Sequence, residues 1–203
     1  MSPSPETKRP LILASGSPRR RDLLENAGIS FEIEPADIPE QHAPGETPVP
    51  FATRLAREKA LAVAKRVGPV PRRFVLGGDT IVVLDEELLG KPRDAAHAEQ
   101  LLGRLVGRRH CVVTAMAVAA SDDLVVNDIA VTSFVTMREA SVDEIRAYVA
   151  TGEPLDKAGA YAVQGLGRHF IESIEGSETN VIGLPVEETL LLLERAGARV
   201  TRS

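Results

Sequence analysis

The chain has 203 residues, 43% of them hydrophobic and 26% charged, with a formal net charge of −5, five Phe, two Tyr and no Trp. This length is enough to bury a core in one domain, or in two lobes that share a cleft. An acidic chain with few aromatic residues argues against non-specific DNA binding, adsorption to anionic membranes and base stacking on single-stranded nucleic acid, so we expect neither nucleic acid nor membrane as a partner.

The first segment, residues 1–9, is polar and lacks the apolar stretch of a secretion signal. We expect it to be a disordered leader before a single domain over residues 10–203. No run in the sequence approaches the ~18 apolar residues of a membrane span. Cys111 is the single cysteine, so no disulfide can form within the chain, which is typical of a reducing compartment. The sequence thus predicts a cytoplasmic protein.

Hydrophobic patterning in the N-terminal half predicts short strands alternating with helices. Ser17 and Pro18 are residue types favoured at a helix N-cap and in its first turn, and Gly28 suits a helix end. The predicted order is a buried strand over residues 11–14, a helix from Pro18 to near Gly28, a strand over 31–35, a loop over 37–48, a helix over 49–67, and two strand segments within 74–84 that are broken at Gly77 and Gly78.

The C-terminal half predicts helices on either side of a long β-hairpin. Ser141 and Glu144 have the spacing of a capping box, which opens a helix. The predicted order is a turn at 85–86, a helix capped by Asp94 that reaches Val106, a hairpin of strands over 111–120 and 124–137, a helix over 141–150, an irregular stretch over 152–183 that holds most of the remaining loops, and a final helix from Pro185. The elements together indicate a mixed α/β fold.

The turn over residues 15–20, Ser-Gly-Ser-Pro-Arg-Arg, combines several groups that bind anions. A helix N-terminus presents backbone N–H groups and the positive end of the helix dipole. Gly16 permits close approach of a phosphate, and the two arginines offer charged hydrogen-bond donors. The alternative is a capped helix with solvated arginines. Because no Gly-Lys-Ser/Thr follows, the turn is not a P-loop.

Three further segments carry candidate functional groups. Asp79 follows an apolar run and two glycines, which suits a metal ligand or general base at the carboxyl end of a strand; the alternative is a turn-forming Asp. Lys91, between Gly90 and Pro92, is either a phosphate ligand or a surface lysine. Gln164 offers paired donor and acceptor groups to a base edge, or belongs to a tightly packed loop.

Taken in order, these segments resemble the Maf family of nucleoside triphosphate pyrophosphatases over nearly the whole chain, from Leu11 to about Leu193. No single segment is specific, but seven in this order are. The matching segments are residues 13–20, 56–60 (Ala-Arg-Glu-Lys-Ala), 78–80 (Gly-Asp-Thr), 90–92 (Gly-Lys-Pro), 153–161, 164–165 (Gln-Gly) and 183–185 (Gly-Leu-Pro). The resemblance implies the α/β fold of Maf proteins and inosine triphosphatases, an elongated mixed sheet with helices and a deep cleft between two lobes.

The resemblance also implies an activity, the hydrolysis of a nucleoside triphosphate to the monophosphate and pyrophosphate, which would cleanse the nucleotide pool. It implies a divalent metal cation, Mg²⁺ or Mn²⁺, and a homodimer. Asp79 would be the catalytic carboxylate, as general base or metal ligand, and Glu40 would assist the metal. The residues implied to hold the triphosphate are Ser15, Arg20, Lys59 and Lys91.

Family members that prefer dTTP and UTP resemble this chain at Arg19, Thr80 and Gln164, whereas the branch that acts on 7-methyl-GTP usually has an aromatic residue in place of Arg19. The resemblance therefore favours dTTP, UTP and modified pyrimidine triphosphates. Gly78 stands where alanine is common, which we expect to loosen the backbone beside Asp79. Two alternatives remain: a 7-methyl-GTP pyrophosphatase, and a nucleotide-binding regulator of cell division, since the family is also associated with arrest of septum formation.

Overall fold

The computed structural model describes residues 11–198, so the predicted leader over residues 1–9 lies outside it. The strands are β1 Leu11–Leu13, β2 Phe31–Ile33, β3 Phe74–Leu84, β4 Glu87–Leu89, β5 Arg109–Ala120, β6 Val126–Met137 and β7 Ile171–Glu175. The helices are α1 Pro18–Asn26, α2 Pro48–Val67, α3 Ala95–Leu105, α4 Val142–Ala150, α5 Glu178–Ile182 and α6 Val186–Arg195. Short 3₁₀ turns cover Glu153–Asp156, Ala158–Ala160 and Leu166–Phe170. Over these described residues, no helix combines the length and the apolar character needed to cross a bilayer.

All seven strands belong to one mixed sheet, which confirms the predicted mixed α/β class. The strand order is β2-β1-β3-β5-β6-β7, with β4 also paired to β3. β1 pairs in parallel with β2 and β3, and the remaining pairs are antiparallel. The predicted hairpin is formed by β5 and β6.

The two edges of β3 are covered differently. β5 pairs with one edge from Phe74 to Val83. The other edge meets β1 at Val75 and Leu76 and meets β4 from Val82 to Leu84. Among residues 11–198, no strand pairs with this second edge between those two stretches. We call the resulting opening, which is bounded by residues 77–81, the β3 gap.

β3 is one unbroken strand, so the prediction of two segments broken at Gly77 and Gly78 is wrong. A Cβ atom at Gly77 would lie 2.4 Å from the carbonyl oxygen of Ala56, so α2 can pack this closely only against a residue without a side chain. Gly78 pairs in the ladder with Met116, whose Sδ would lie 2.7 Å from an added Cβ atom. Gly78 is therefore paired within the sheet, and the expected loosening of the backbone beside Asp79 stays a prediction.

The expectation of an irregular stretch over residues 152–183 is wrong in part, because the region contains β7 and α5. β7 pairs with β6, from Phe134 opposite Glu175 to Met137 opposite Ile171. α5 is capped by Ser177, whose side chain accepts a hydrogen bond from the backbone N–H of Asn180. Both elements are five residues long, too short for a hydrophobic period to identify them.

Three groups of buried apolar side chains hold the helices against the sheet. One lies between α2 and the sheet and includes Ile81 and Val83. The second group includes Val82 and packs α3 and α4 against the sheet. The third group includes Leu76 and packs α1 and α6 against the sheet. Since successive side chains of a strand point to opposite faces, Asp79 shares the α2 face with Ile81 and Val83, and Thr80 lies on the opposite face.

Candidate active site

A cavity of about 670 Å³ is lined by the residues around the β3 gap, by the start of α1 and by the loop over residues 156–164. Every residue that the sequence singled out for the site lines this one cavity. These residues are Ser15, Arg19, Arg20, Glu40, Lys59, Asp79, Thr80, Lys91 and Gln164. Asp79 lies in the middle of β3 and not at its carboxyl end as predicted. It reaches the cavity because the strand edge beside it is uncovered.

The cavity wall is richer in basic side chains than in acidic ones, although the whole chain is acidic. The basic residues are Arg19, Arg20, Lys59, Lys91 and Lys157, and the acidic ones are Glu40, Asp79 and Asp156. Five positive charges against three negative charges, in a chain with a net charge of −5, give this cavity a local field that attracts anions. Basic residues are therefore concentrated locally at this cavity.

The predicted N-cap at Ser17 and the predicted first-turn Pro18 are confirmed, and they place Arg20 on the first turn of α1. The Arg20 side chain is buried and makes three hydrogen bonds. Its Nε donates to the Gly183 carbonyl at 2.9 Å, one terminal nitrogen donates to Ser15 Oγ at 3.1 Å, and the other donates to Thr80 Oγ1 at 2.9 Å.

Arg20 has N–H donors left for a ligand beyond its three hydrogen bonds within the protein. A guanidinium group carries five N–H donors, of which one is on Nε and two are on each terminal nitrogen. The three bonds leave one donor on each terminal nitrogen, and two such donors of a guanidinium can bind two oxygen atoms of a phosphate. Burial lowers the pKa of Arg20, and the nearby Asp79 opposes that shift; a guanidinium nevertheless stays protonated in proteins.

Lys59 of α2 lies between the two acidic residues that the sequence selected. Its Nζ is 2.7 Å from Asp79 Oδ1 and 2.5 Å from Glu40 Oε1. Burial raises the pKa of Asp79, and Lys59 and Arg20 oppose this effect. Burial would also raise the pKa of Glu40, but the contact with Lys59 and the charges of Lys91 and Arg20 together outweigh burial and lower that pKa. The two carboxyl groups therefore differ in basicity, with Asp79 the better proton acceptor.

The same two carboxylates are the candidate metal ligands. Over residues 11–198 there is no cluster of three or more His, Cys, Asp or Glu side chains suited to a metal. Glu40 and Asp79 nevertheless approach one ammonium group, so their oxygen atoms converge on a small volume. Mg²⁺ is usually bound by one or two carboxylates together with water and substrate phosphates. The donor set therefore fits Mg²⁺ or a similar cation that arrives with a polyphosphate.

The opposite wall of the cavity carries more exposed groups. Lys91 and Gln164 are exposed, and a guanidinium nitrogen of Arg19 lies 3.9 Å from a carboxylate oxygen of Asp156. Glu153 holds the loop just after Gln164, because its carboxylate accepts hydrogen bonds from the backbone N–H groups of Leu166 and Gly167 at 3.0 and 2.9 Å. Gln164 thus extends from an anchored turn.

Three residues with polar side chains but without a role in the sequence-based prediction also line the cavity: Asp156, Lys157 and Tyr161. The Lys157 ammonium donates to the Glu153 carbonyl and to Asp156, both at 2.5 Å. The signal in the sequence that could have identified them is the adjacent pair of opposite charges, Asp156 and Lys157, before a run of small residues. The segment entered the prediction only as part of the family resemblance, and no chemical role was predicted for this pair.

Comparison with known proteins gives consistent matches along the chain. Residues 10–196 match the family described as Maf-like protein. A dTTP/UTP pyrophosphatase from Syntrophotalea carbinolica is 50% identical over 190 residues, covering 93% of this chain and 85% of that protein. Proteins of the same name from Myxococcus xanthus and Escherichia coli are each 50% identical, over 187 and 189 residues. These matches cover 92% of both chains in the first case and 93% of both in the second.

Proposed function

The chain belongs to the Maf family, and on this premise we propose that it hydrolyses dTTP and UTP to the nucleoside monophosphate and pyrophosphate. The observation that carries the proposal is the buried Asp79 carboxylate in a cavity with five basic side chains. Positioned cations stabilise the negative charge that develops on phosphoryl oxygens in the transition state. Relatives that share half of their residues with this chain carry the corresponding name. We include modified pyrimidine triphosphates among the substrates, so that the reaction would cleanse the nucleotide pool.

We assign the binding of the triphosphate to Ser15, Arg20, Lys59 and Lys91. Arg20 would use its two remaining donors as a fork on phosphate oxygens. Ser15 Oγ accepts hydrogen bonds from Arg20 and from the Ser17 backbone, so its own O–H remains to donate. Lys59 has one N–H beyond its two carboxylate contacts. Together these groups present several donors to a polyphosphate.

Asp79 would serve as the general base. Water attacks the α-phosphorus, the bond from this phosphorus to the bridging oxygen breaks, and pyrophosphate leaves. The proton of the attacking water passes to the Asp79 carboxylate. Burial raises the pKa of Asp79, which makes it a stronger proton acceptor than an exposed carboxylate.

Glu40 and Asp79 are the residues that would hold a divalent cation, Mg²⁺ or Mn²⁺, at this site. When bound, such a cation would neutralise charge on the triphosphate oxygens. Lys59 would keep the two carboxylates facing each other through its contacts with both. This assignment rests on the convergence of these oxygens beside the proposed phosphate ligands.

Arg19, Thr80 and Gln164 would select the base. Gln164 is exposed on an anchored turn and carries an amide that both donates and accepts hydrogen bonds. Arg19 occupies a place where an aromatic residue marks the 7-methyl-GTP branch, which supports a pyrimidine substrate. We also propose that residues 10–203 form one domain with two lobes, and that the protein is a cytoplasmic homodimer. Light scattering on the purified protein tests the dimer, and a monomer mass would contradict it.

The activity is tested by incubating the purified protein with dTTP, UTP and Mg²⁺ and separating the products by ion chromatography. The expected products are the monophosphate and pyrophosphate in equal amounts. Release of orthophosphate would place the cleavage at another bond. Faster turnover of 7-methyl-GTP than of dTTP would contradict the choice of base, and no turnover of any triphosphate would contradict the proposed activity.

A further inference from the structure

Thr114 is a fully buried hydroxyl residue in the middle of β5, within the apolar run over residues 111–120. It lies directly opposite Thr80 in the ladder between β3 and β5. It is not among the residues that line the cavity. Burying a hydroxyl in an apolar strand lowers the stability of the fold unless the hydroxyl is hydrogen-bonded. The Thr114 hydroxyl has two hydrogen-bond partners.

The direction of these hydrogen bonds follows from the number of protons. Thr114 Oγ1 donates to the backbone carbonyl of Asn180 at 2.8 Å. Since a hydroxyl has a single proton, Thr114 must accept in its second bond, at 3.0 Å, from Thr80 Oγ1. The only proton of Thr80 is then in use, so Thr80 presents a lone pair to Arg20, whose terminal nitrogen donates at 2.9 Å. The hydrogen bonds therefore run in one direction from Arg20 through Thr80 and Thr114 to Asn180.

The end of this chain of hydrogen bonds is itself anchored. The Asn180 side-chain amide donates to the Val112 carbonyl at 3.1 Å and to Ser133 Oγ at 2.9 Å. Asn180 is completely buried. The helix that carries it, α5, is followed by its C-cap Gly183, whose carbonyl accepts from Nε of Arg20 at 2.9 Å. Arg20 is thus tied to α5 twice, directly at its end and through two threonine hydroxyls at its middle.

We propose that Thr114 is a positioning residue for the reaction, which orients the guanidinium of Arg20 by determining where the Thr80 proton points. The inference rests on the proposed function of the cavity. Without the Thr114 hydroxyl, the Thr80 hydroxyl loses its acceptor and is free to rotate. Its lone pair then no longer faces Arg20 in a fixed direction, and the two donors that Arg20 has left for phosphate lose their alignment.

The test uses three variants of the full chain. Thr114→Val removes the hydroxyl at nearly constant shape, and Thr114→Ser retains the hydroxyl. Thr189→Val is the matched control, because Thr189 is also fully buried but, within residues 11–198, its hydroxyl has no hydrogen-bond partner and it does not line the cavity. Thermal unfolding measures whether each variant is folded. If Thr114→Val does not fold, Thr114→Cys replaces it, because a thiol is a poor hydrogen-bond donor.

For Thr114→Val we expect kcat/KM with dTTP to fall about 10- to 100-fold, the cost of misplacing a binding group by a fraction of an ångström to an ångström. The loss should appear both as a lower kcat and as a higher KM, because the two remaining donors of Arg20 would bind phosphate oxygens in the bound substrate as well as in the transition state. Thr114→Ser and Thr189→Val should stay within about twofold of the wild type. Wild-type rates in Thr114→Val, or an equal loss in Thr114→Ser, would overturn the inference.

The route through Arg20 is tested by combining Thr114→Val with Arg20→Lys. If Thr114 acts through Arg20, Thr114→Val should have little further effect in the Arg20→Lys background, since the group it orients is already gone. A full additional loss would overturn the proposed route.

Calorimetric binding of inorganic pyrophosphate separates the positioning role from the proposed activity. Weaker binding by Thr114→Val than by Thr189→Val supports the positioning role even if the wild type hydrolyses neither dTTP nor UTP, in which case only the proposed activity fails. Equal binding by the two variants, or no binding by the wild type, contradicts the positioning role.

Discussion

The ammonium of Lys59 and the carboxylate of Asp79 form a buried ion pair, with 2.7 Å between Nζ and Oδ1. Glu40 shares the same ammonium at 2.5 Å, so one positive charge faces two negative charges. Charges removed from water carry a desolvation cost that their attraction often fails to repay. The arrangement is therefore better explained by chemistry in the cavity than by a gain in stability.

Replacing Asp79 with Asn should abolish most of the activity. The amide keeps the shape of the carboxylate but cannot take up a proton from water, and loss of a general base typically costs about 10²- to 10⁴-fold in kcat. The measurement is pyrophosphate release from dTTP. Asp128→Asn is the control, because Asp128 forms an ion pair with Arg57 and does not line the cavity. A folded Asp79→Asn variant with the wild-type rate would falsify the role of Asp79.

Replacing Arg20 with Lys should lower kcat/KM by about 10- to 100-fold, because a lysine keeps the charge but loses the planar fork. It also loses the bonds to Gly183 and Thr80. Arg21→Lys is the matched control, since Arg21 is the next residue of the same helix and is exposed, with Asp22 as its partner. Similar rates for these two variants would show that the position of the guanidinium does not matter.

Replacing Gly77 with Ala should destabilise the fold by about 1–3 kcal/mol, the usual range for overpacking. The added methyl group would meet the backbone of α2, with 2.4 Å to the Ala56 oxygen and 2.7 Å to the Ala60 nitrogen. Gly103→Ala, in α3, is the control: an added Cβ atom has no neighbour within 4 Å, and alanine favours helix by about 1 kcal/mol. Urea denaturation should therefore move the two midpoints in opposite directions. A Gly77→Ala variant as stable as the wild type would contradict the packing argument.

His110 should make stability depend on pH. It is buried, its Nε2 lies 2.7 Å from the Tyr161 hydroxyl, and burial lowers its pKa to about 4 from an ordinary value of 6.5. Between these values the unfolded chain takes up a proton that the folded chain does not. Protonation of His110 in the unfolded chain therefore leaves the free energy of unfolding unaffected above pH 6.5. As the pH falls toward 4, it lowers this free energy by about 3 kcal/mol in total.

The His110→Gln variant should lose this part of the pH dependence, as measured by urea denaturation at several values between about pH 4 and about pH 7. His42→Gln is the control, because His42 is exposed, and its curve should follow that of the wild type. An unchanged slope in the His110→Gln variant would show that another group carries the effect.

Local signals were sufficient for elements whose stabilising partners lie a few residues away. The Ser17 cap and the capping box between Ser141 and Glu144 are such cases, and both are present as predicted. β7 and α5 were missed because their partners are distant in sequence. β7 is held by β6, and α5 is held by the Asn180 side chain through Ser133, which is 47 residues away.

By itself, the sequence determined most of the chemical inventory of the site: a serine, four of the five basic groups and two carboxylates in the order of a known family. Only the tertiary structure decided how each group is used. Asp79 reaches the cavity from mid-strand because β1 and β4 leave part of one strand edge uncovered. Arg20 keeps two donors because a carbonyl 163 residues away and two hydroxyls take the others. Each donor forms its hydrogen bond with a partner that the fold brings near, and no local sequence pattern specifies these partners.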